Sequence, residues 1–321
     1  MQRYIIRRLL LAIPTLWLVL TLVFITGHIR PSFAEERVSN CSGTVEQCKR
    51  ALDSIKHDIG ADKPFLQQYA IYLGNFLRGD LGVSLLTHKT VVSEIKDRSS
   101  PSIEMGVLQI ILSTILAIPV GIIAAVKQDS WADYVLRIAS IGLLAIPVFF
   151  SGPLMLLFCI KVLHWSPVLN LSFYRDFGQD PIRNLQSMAI PVLAGAFATS
   201  AAVMRLLRSQ MLEVMRQDYV RTATAKGLRR SVVVIRHTLK NAMIPVLTII
   251  GLQAGALIGG NVILEQIFAI PGIGFFIITS IRQADTPVVA GIALLVAIVV
   301  VVANLLIDLA YAWFDPRIRY A

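Results

Sequence analysis

Charge is what this sequence has least of. Only 16% of its 321 residues are Asp, Glu, Lys or Arg, while 55% are hydrophobic; a water-soluble domain carries about 25% charge. The shortage is concentrated. Six windows hold no charged residue at all: Leu9–Gly27, Met105–Val126, Ile138–Ile160, Asn184–Met204, Asn241–Leu264 and Thr286–Ile307. Each reaches the roughly 17–25 residues that a helix needs to cross ~30 Å of hydrocarbon, which excludes an ordinary soluble domain. Cysteine is scarce too, at three residues, and no pair has a spacing that signals zinc. No Gly-x-x-x-x-Gly-Lys-Ser/Thr phosphate loop and no nucleophile motif is present. No window gathers several ionisable residues, as an ion-coupled transporter or voltage sensor does. The sequence shows neither a chemical energy source of its own nor an obvious ion relay, and a large inside loop with capped short helices suggests that energy arrives through a partner protein.

What is there predicts an all-α integral membrane protein with six transmembrane helices. Arg3, Arg7 and Arg8 precede the first span without an acidic residue, which puts the N-terminus inside by the positive-inside rule; six crossings return the C-terminus to that side. The connection between spans four and five holds Arg205, Arg208, Arg216, Arg221, Lys226, Arg229, Arg230, Arg236 and Lys240 and falls inside as well. The net charge of +10 is therefore a topology signal, not a nucleic-acid footprint. The organisation follows: residues 1–28 form a cytoplasmic tip and first span, 29–102 an extracytoplasmic domain, 103–312 a five-helix core with an inside loop at 205–242, and 313–321 a cytoplasmic tail. A small-x-small site at Ser32–Ala34 imitates a signal peptide, but the apolar core before it exceeds the ~7–15 residues of a signal, and the span is retained.

Smaller features are read along the way. Cys41 and Cys48 fit a local disulfide on an oxidising face, with two free thiols as the alternative; Cys159 reads as a small core residue. Gly79–Ser84 reads as a turn-rich loop. Pro119 with Gly121, and Pro147 with Gly152 and Pro153, are expected to interrupt spans two and three. Glu104 is expected to snorkel to the interface. The short uncharged window Gln266–Ile281, broken by Pro271–Gly274, is either a loop or a re-entrant segment. His237 lacks a second ligand at metal spacing and reads as solvated or packed.

The most distinctive stretch is polar: Asp218-Tyr-Val-Arg-Thr-Ala-Thr-Ala-Lys-Gly227. Asp218 is an N-cap candidate, Lys226 suits the negative end of the helix dipole, and Gly227 can take the left-handed conformation that ends a helix. Two turns are marginal in water, so the helix must pack on something. Ser231 is a second N-cap candidate, opening a helix through His237 to Pro245.

This loop resembles the signature of type I ATP-binding-cassette importer permeases, in the form seen in their oligopeptide/dipeptide/nickel branch. Asp218–Leu228 and Arg236–Pro245 carry the likeness, and Gly79–Ser84, Glu265–Gly274 and Phe314–Arg319 agree with it. Ala223 and Gly227 match the general signature, whereas Arg221 and Thr222 replace its Glu-Ala. The resemblance implies a non-catalytic pore subunit of the bacterial cytoplasmic (inner) membrane, taking up short peptides, or nickel, glutathione or another solute of that branch. It implies four partners besides the lipid bilayer: a second homologous permease, two ATP-binding subunits, which would hold ATP and Mg, and an extracytoplasmic solute-binding protein. No cofactor is expected in this chain and no nucleic acid. The coupling helix implied for docking on an ATPase comprises Asp218, Tyr219, Arg221, Thr222, Ala223, Ala225, Lys226, Gly227, Leu228 and Arg229, with Ala223 and Ala225 allowing close approach. Glu265, Phe268, Pro271 and Gly272 would contact the binding protein or gate the outer side. A secondary transporter or a channel is the reading from a different class.

Overall fold

A computed structural model of the chain describes residues 2–29, 46, 63–164, 174–255, 259, 261–283 and 285–314. Among the described residues no strand occurs, and the one β-type pairing is the bridge between Val83 and Thr90. The helices in order are α1 (Gln2–Ile29), α2 (Phe65–Leu77), α3 (Val91–Val126), α4 (Trp131–Ala145), α5 (Val148–Lys161), α6 (Pro181–Met215), α7 (Asp218–Ala225) and α8 (Arg230–Val232). A π-helical stretch, Val233–Leu239, runs from α8 into α9 (Lys240–Gly255), followed by α10 (Val262–Ile267), α11 (Ile273–Arg282) and α12 (Thr286–Phe314).

Among the described residues, α3, α6, α12 and the run Arg230–Gln253 are each long and apolar enough to cross a membrane, and α4 with α5 makes a fifth crossing if the pair is one span. That pair is interrupted at Pro147, as expected. The helix breaks because Pro147 has no N–H to continue the ladder and forces Ile146 out of the helical region, to φ −86° and ψ 117°, and the two limbs are bent by 108°. Pro119 does the opposite of what was expected: α3 runs through it unbroken. The fifth window also divides, with α9 ending at Gly255 and Leu264 lying on the separate α10. Gly251, Gly255, Gly259 and Gly260 crowd that stretch, and glycine weakens helix interiors by roughly 0.5–1 kcal/mol each.

The chain forms two compact units. One comprises residues 101–274 and 302–321, and α6 is its axis, packing against α4, α5 and α9. Asp180 starts α6, its carboxylate accepting from the Arg183 N–H at 3.1 Å with Pro181 next in line. Toward one end, Met188, Ile190, Val192 and Ala194 pack with Met105, Leu264, Phe268 and Ile270, and half-buried Cys159 lies against this cluster as read. Toward the other, Val203, Met204, Leu207 and Met211 pack with Ala117, Ala125, Ala242 and Val246. Small residues bring the backbones close: a Cβ at Gly121 would lie 3.0 Å from Leu207, and one at Gly195 would lie 2.5 Å from Gln109. Glu104 is partly buried and accepts from the Tyr174 hydroxyl at 3.0 Å.

The other unit comprises residues 2–100 and 275–301. Here α1 meets α2, with the Phe24 ring against Phe65, Tyr69 and Tyr72 at centroid distances of 5.3, 5.1 and 5.4 Å. The stretch Gly79–Ser84 is more than a loose turn. Gly79 and Gly82 both take positive φ, and buried Ser84 donates to the buried Asp285 carboxylate at 2.5 Å, which also accepts from the Leu85 N–H at 3.1 Å.

Candidate functional site

The turn after α6 sets the start of α7. Gln217 is extended, with φ −73° and ψ 146°, and its carbonyl accepts from the N–H groups of Val220 and Arg221 at 3.1 and 3.3 Å. Gln217 is therefore the N-cap residue, without a side-chain bond, and Asp218 is the first residue inside the helix. This corrects the expected Asp218 cap by one position. The carboxylate still faces the positive end of the dipole, and it lies 3.9 Å from Arg221 with both groups largely exposed, a weak pair. The other end is as expected: Gly227 has φ +76° and its N–H returns to the Thr224 carbonyl at 3.0 Å, a left-handed terminus that favours glycine.

α7 is two-faced. Val220 and Ala223 are buried, at 4% and 6% exposure, against Val233 and half-buried Val214. Asp218, Tyr219, Arg221, Thr222, Ala225, Lys226, Gly227, Leu228 and Arg229 are exposed. Ala223 thus faces its own protein, and of the two alanines only Ala225 is at the surface. Tyr219 reaches back so that Asn241 Nδ2 donates to its hydroxyl at 2.9 Å, tying α7 to the start of α9. After Gly227 the chain re-enters helix with Arg229, not Ser231, at the cap position, and Arg229 makes no side-chain cap bond; Ser231 sits within α8. The helix then widens over Val233–Leu239 into π geometry, which is rare and concentrates at functional positions. His237 is half-buried on this stretch, and no metal-type cluster occurs among the described residues.

The four residues expected to face a binding protein divide. Glu265, Phe268 and Gly272 are buried, and Pro271 is exposed. Glu265 Oε1 accepts from Ser102 Oγ at 2.7 Å, and Ser102 Oγ in turn accepts from the Ile273 N–H at 2.8 Å. A Cβ on Gly272 would lie 2.5 Å from Ser102 Oγ, so only glycine fits between them. Phe268 packs beside Gly152, where a Cβ would lie 3.1 Å from its ring. Buried residues brace the turn that holds Pro271 outward. Cys41 and Cys48 lie outside the described residues, as do Asp315–Ala321 of the tail.

Two ion pairs escaped sequence reading. Asp133 is wholly buried and bound by Arg208 through both oxygens; Glu94, at 2% exposure, pairs with Arg98, whose guanidinium lies 3.9 Å over the Phe276 ring. The Ser130-x-x-Asp133 spacing signals a helix start, and Ser130 does cap α4. Nothing local announces an arginine on a distant helix.

Comparison with known proteins agrees with this architecture. The family described as "Binding-protein-dependent transport system inner membrane component" matches residues 117–320, and its companion N-terminal family matches residues 1–105. The chain is 34% identical to the dipeptide transport system permease protein DppB of Alkalihalophilus pseudofirmus, with all of both chains covered. It is 36% identical to DppB of Escherichia coli K12, covering 100% of this chain and 99% of that one. It is 33% identical to the glutathione transport system permease protein GsiC of Pectobacterium atrosepticum, again over the whole of both. The helical fold is that of type I ATP-binding-cassette permeases, and the chain belongs to the family of inner membrane components of binding-protein-dependent transport systems.

Proposed function

We propose that this chain is one of two pore-forming permeases of an ATP-driven importer for short peptides, and that α7 is its coupling helix. The observation that carries the reading is the construction of α7: a helix fixed from within by Val220, Ala223 and Tyr219 that presents Arg221, Ala225, Lys226, Leu228 and Arg229 outward. Exposed guanidinium and ammonium groups suit the carboxylate rim of a partner's groove. The two partner ATPases would bind ATP and Mg on the cytoplasmic side, and their closure would displace α7 as a rigid body. Six spans with both termini cytoplasmic fit the basic residues that flank α1 and fill 205–242. An external binding protein would meet the turn that carries Pro271. The peptide assignment rests on the DppB relatives; glutathione is favoured as the second reading by the GsiC relative.

Gly227→Val tests the coupling role. Its φ of +76° is strained for a β-branched residue, so the end of α7 should shift while the spans are untouched. The expected result is normal membrane insertion, with uptake of labelled Ala-Ala by the full complex reduced at least tenfold, an effect within the ~5–150-fold range of coupling between sites. Uptake equal to the parent would remove α7 from the mechanism.

A further inference from the structure

Asp133 carries more donors than a capping residue needs. Arg208 Nε donates to its Oδ1 and Arg208 Nη2 to its Oδ2, both at 2.7 Å, and the Asp129 N–H donates to Oδ2 at 3.0 Å. Arg137 Nε stands 3.6 Å from Oδ1. The tight turn between α3 and α4 is folded around this carboxylate. Asp129 adopts φ +59°, and Ser130 Oγ both accepts from the Asp133 N–H at 3.4 Å and donates to the Lys127 carbonyl at 2.6 Å. Arg208 itself is held rigidly, since it follows Leu207 and precedes Met211 on α6, both 0% exposed.

A second link reaches the same turn. Arg230, just after α7, donates from Nη2 to the carbonyl of Val126, the last residue of α3, at 3.3 Å. The coupling segment is thus bracketed: Arg208 before it and Arg230 after it both grip the connector 126–133. A buried ion pair is a weak source of stability, because desolvation of the charges offsets their attraction. What a planar guanidinium fork on a carboxylate supplies beyond apolar contact is a fixed register between two elements.

Resting on the reading of α7 as the coupling helix, we infer that Asp133 and Arg208, with Arg230 as a second tether, are positioning residues that carry the displacement of α7 into the α3–α4 connector, and from it into the bent pair α4–α5. Packing of α6 alone would let the connector slide; the two tethers make it follow.

The test uses the complete importer, purified with its ATPase subunits and binding protein and reconstituted in liposomes, with labelled Ala-Ala as probe and ATP hydrolysis measured beside uptake. Asp133→Asn combined with Arg208→Met replaces the ion pair by neutral groups of similar size, a change that buried pairs commonly tolerate. The expected result is an assembled complex that still hydrolyses ATP but moves about tenfold less peptide per ATP, within the ~5–150-fold span of site-to-site coupling. Arg230→Ala should lower the same ratio more mildly. An unchanged ratio in the double variant, or hydrolysis and uptake falling in step, overturns the inference. Should the double variant fail to assemble, Arg208→Lys, which keeps the charge and loses the fork, carries the same two outcomes. A parent complex without ATP-dependent uptake is a different result, and it rejects the importer reading itself.

Discussion

Ser102 shows how much one hydroxyl can hold. It donates to Glu265 Oε1 and accepts from the Ile273 N–H, so it joins α10 to the start of α11 across the turn bearing Pro271. Both Ser102 and Glu265 have 0% exposure. Ser102→Ala takes away a donor to a buried carboxylate and an acceptor from a buried amide. Loss of such partners costs about 1–3 kcal/mol, so thermal unfolding in detergent should occur at a lower temperature than in the parent. Ser99→Ala, whose hydroxyl only returns to the Lys96 carbonyl on its own helix, should leave the transition in place.

At the scale of elements, close helix packing depends on reciprocal glycines. Gly121 on α3 receives Leu207 of α6, and Gly195 on α6 receives Gln109 of α3, which donates to the Pro191 carbonyl at 3.3 Å. Gly195→Val would drive a branched side chain into that amide and displace it from the Pro191 carbonyl. Loss of a hydrogen bond at a buried group costs about 1–3 kcal/mol, and a lowered melting temperature of the purified chain is the expected reading; a transition unchanged from the parent would mean that the Gln109 side chain swings aside at no cost. These elements also show what the sequence discloses. Gly227 announced its own conformation, because a left-handed terminus after a polar helix is a local property. Met204, Leu207, Met211, Leu212 and Met215 recur at helical spacing, a pattern that agrees with the continuation of α6 to Met215. Pro147 disclosed where α4 and α5 part, but not the bend of 108°. Ala223 looked like a docking residue until Val233 and Val214 were seen beneath it. Ser84 with Asp285 and Arg208 with Asp133 stayed hidden, since each joins residues far apart in sequence and no periodicity records a tertiary partner.

For the whole molecule the bend at Pro147 governs topology. If α4 and α5 together make one crossing, six spans put the loop 205–242 on the same side as the N-terminus. If the pair instead enters and leaves from one side, every later segment changes side, and the arginines of that loop face outward against the positive-inside rule. Arg221 is suited to decide between these, because its side chain is 74% exposed and it lies on α7, away from any span. With Cys41, Cys48 and Cys159 changed to serine, Arg221→Cys supplies a single thiol. A membrane-impermeant maleimide should label it in inverted vesicles stripped of peripheral proteins and leave it unlabelled in intact spheroplasts. Labelling in the spheroplasts would make α4–α5 a re-entrant pair and would place α7 beyond the reach of a cytoplasmic ATPase. The basic residues argue for the first outcome. At a cost of roughly 2.5–3.5 kcal/mol for placing an arginine or lysine at a membrane centre, translocating a loop with seven arginines and two lysines is opposed by the same charges that would draw it to an ATPase.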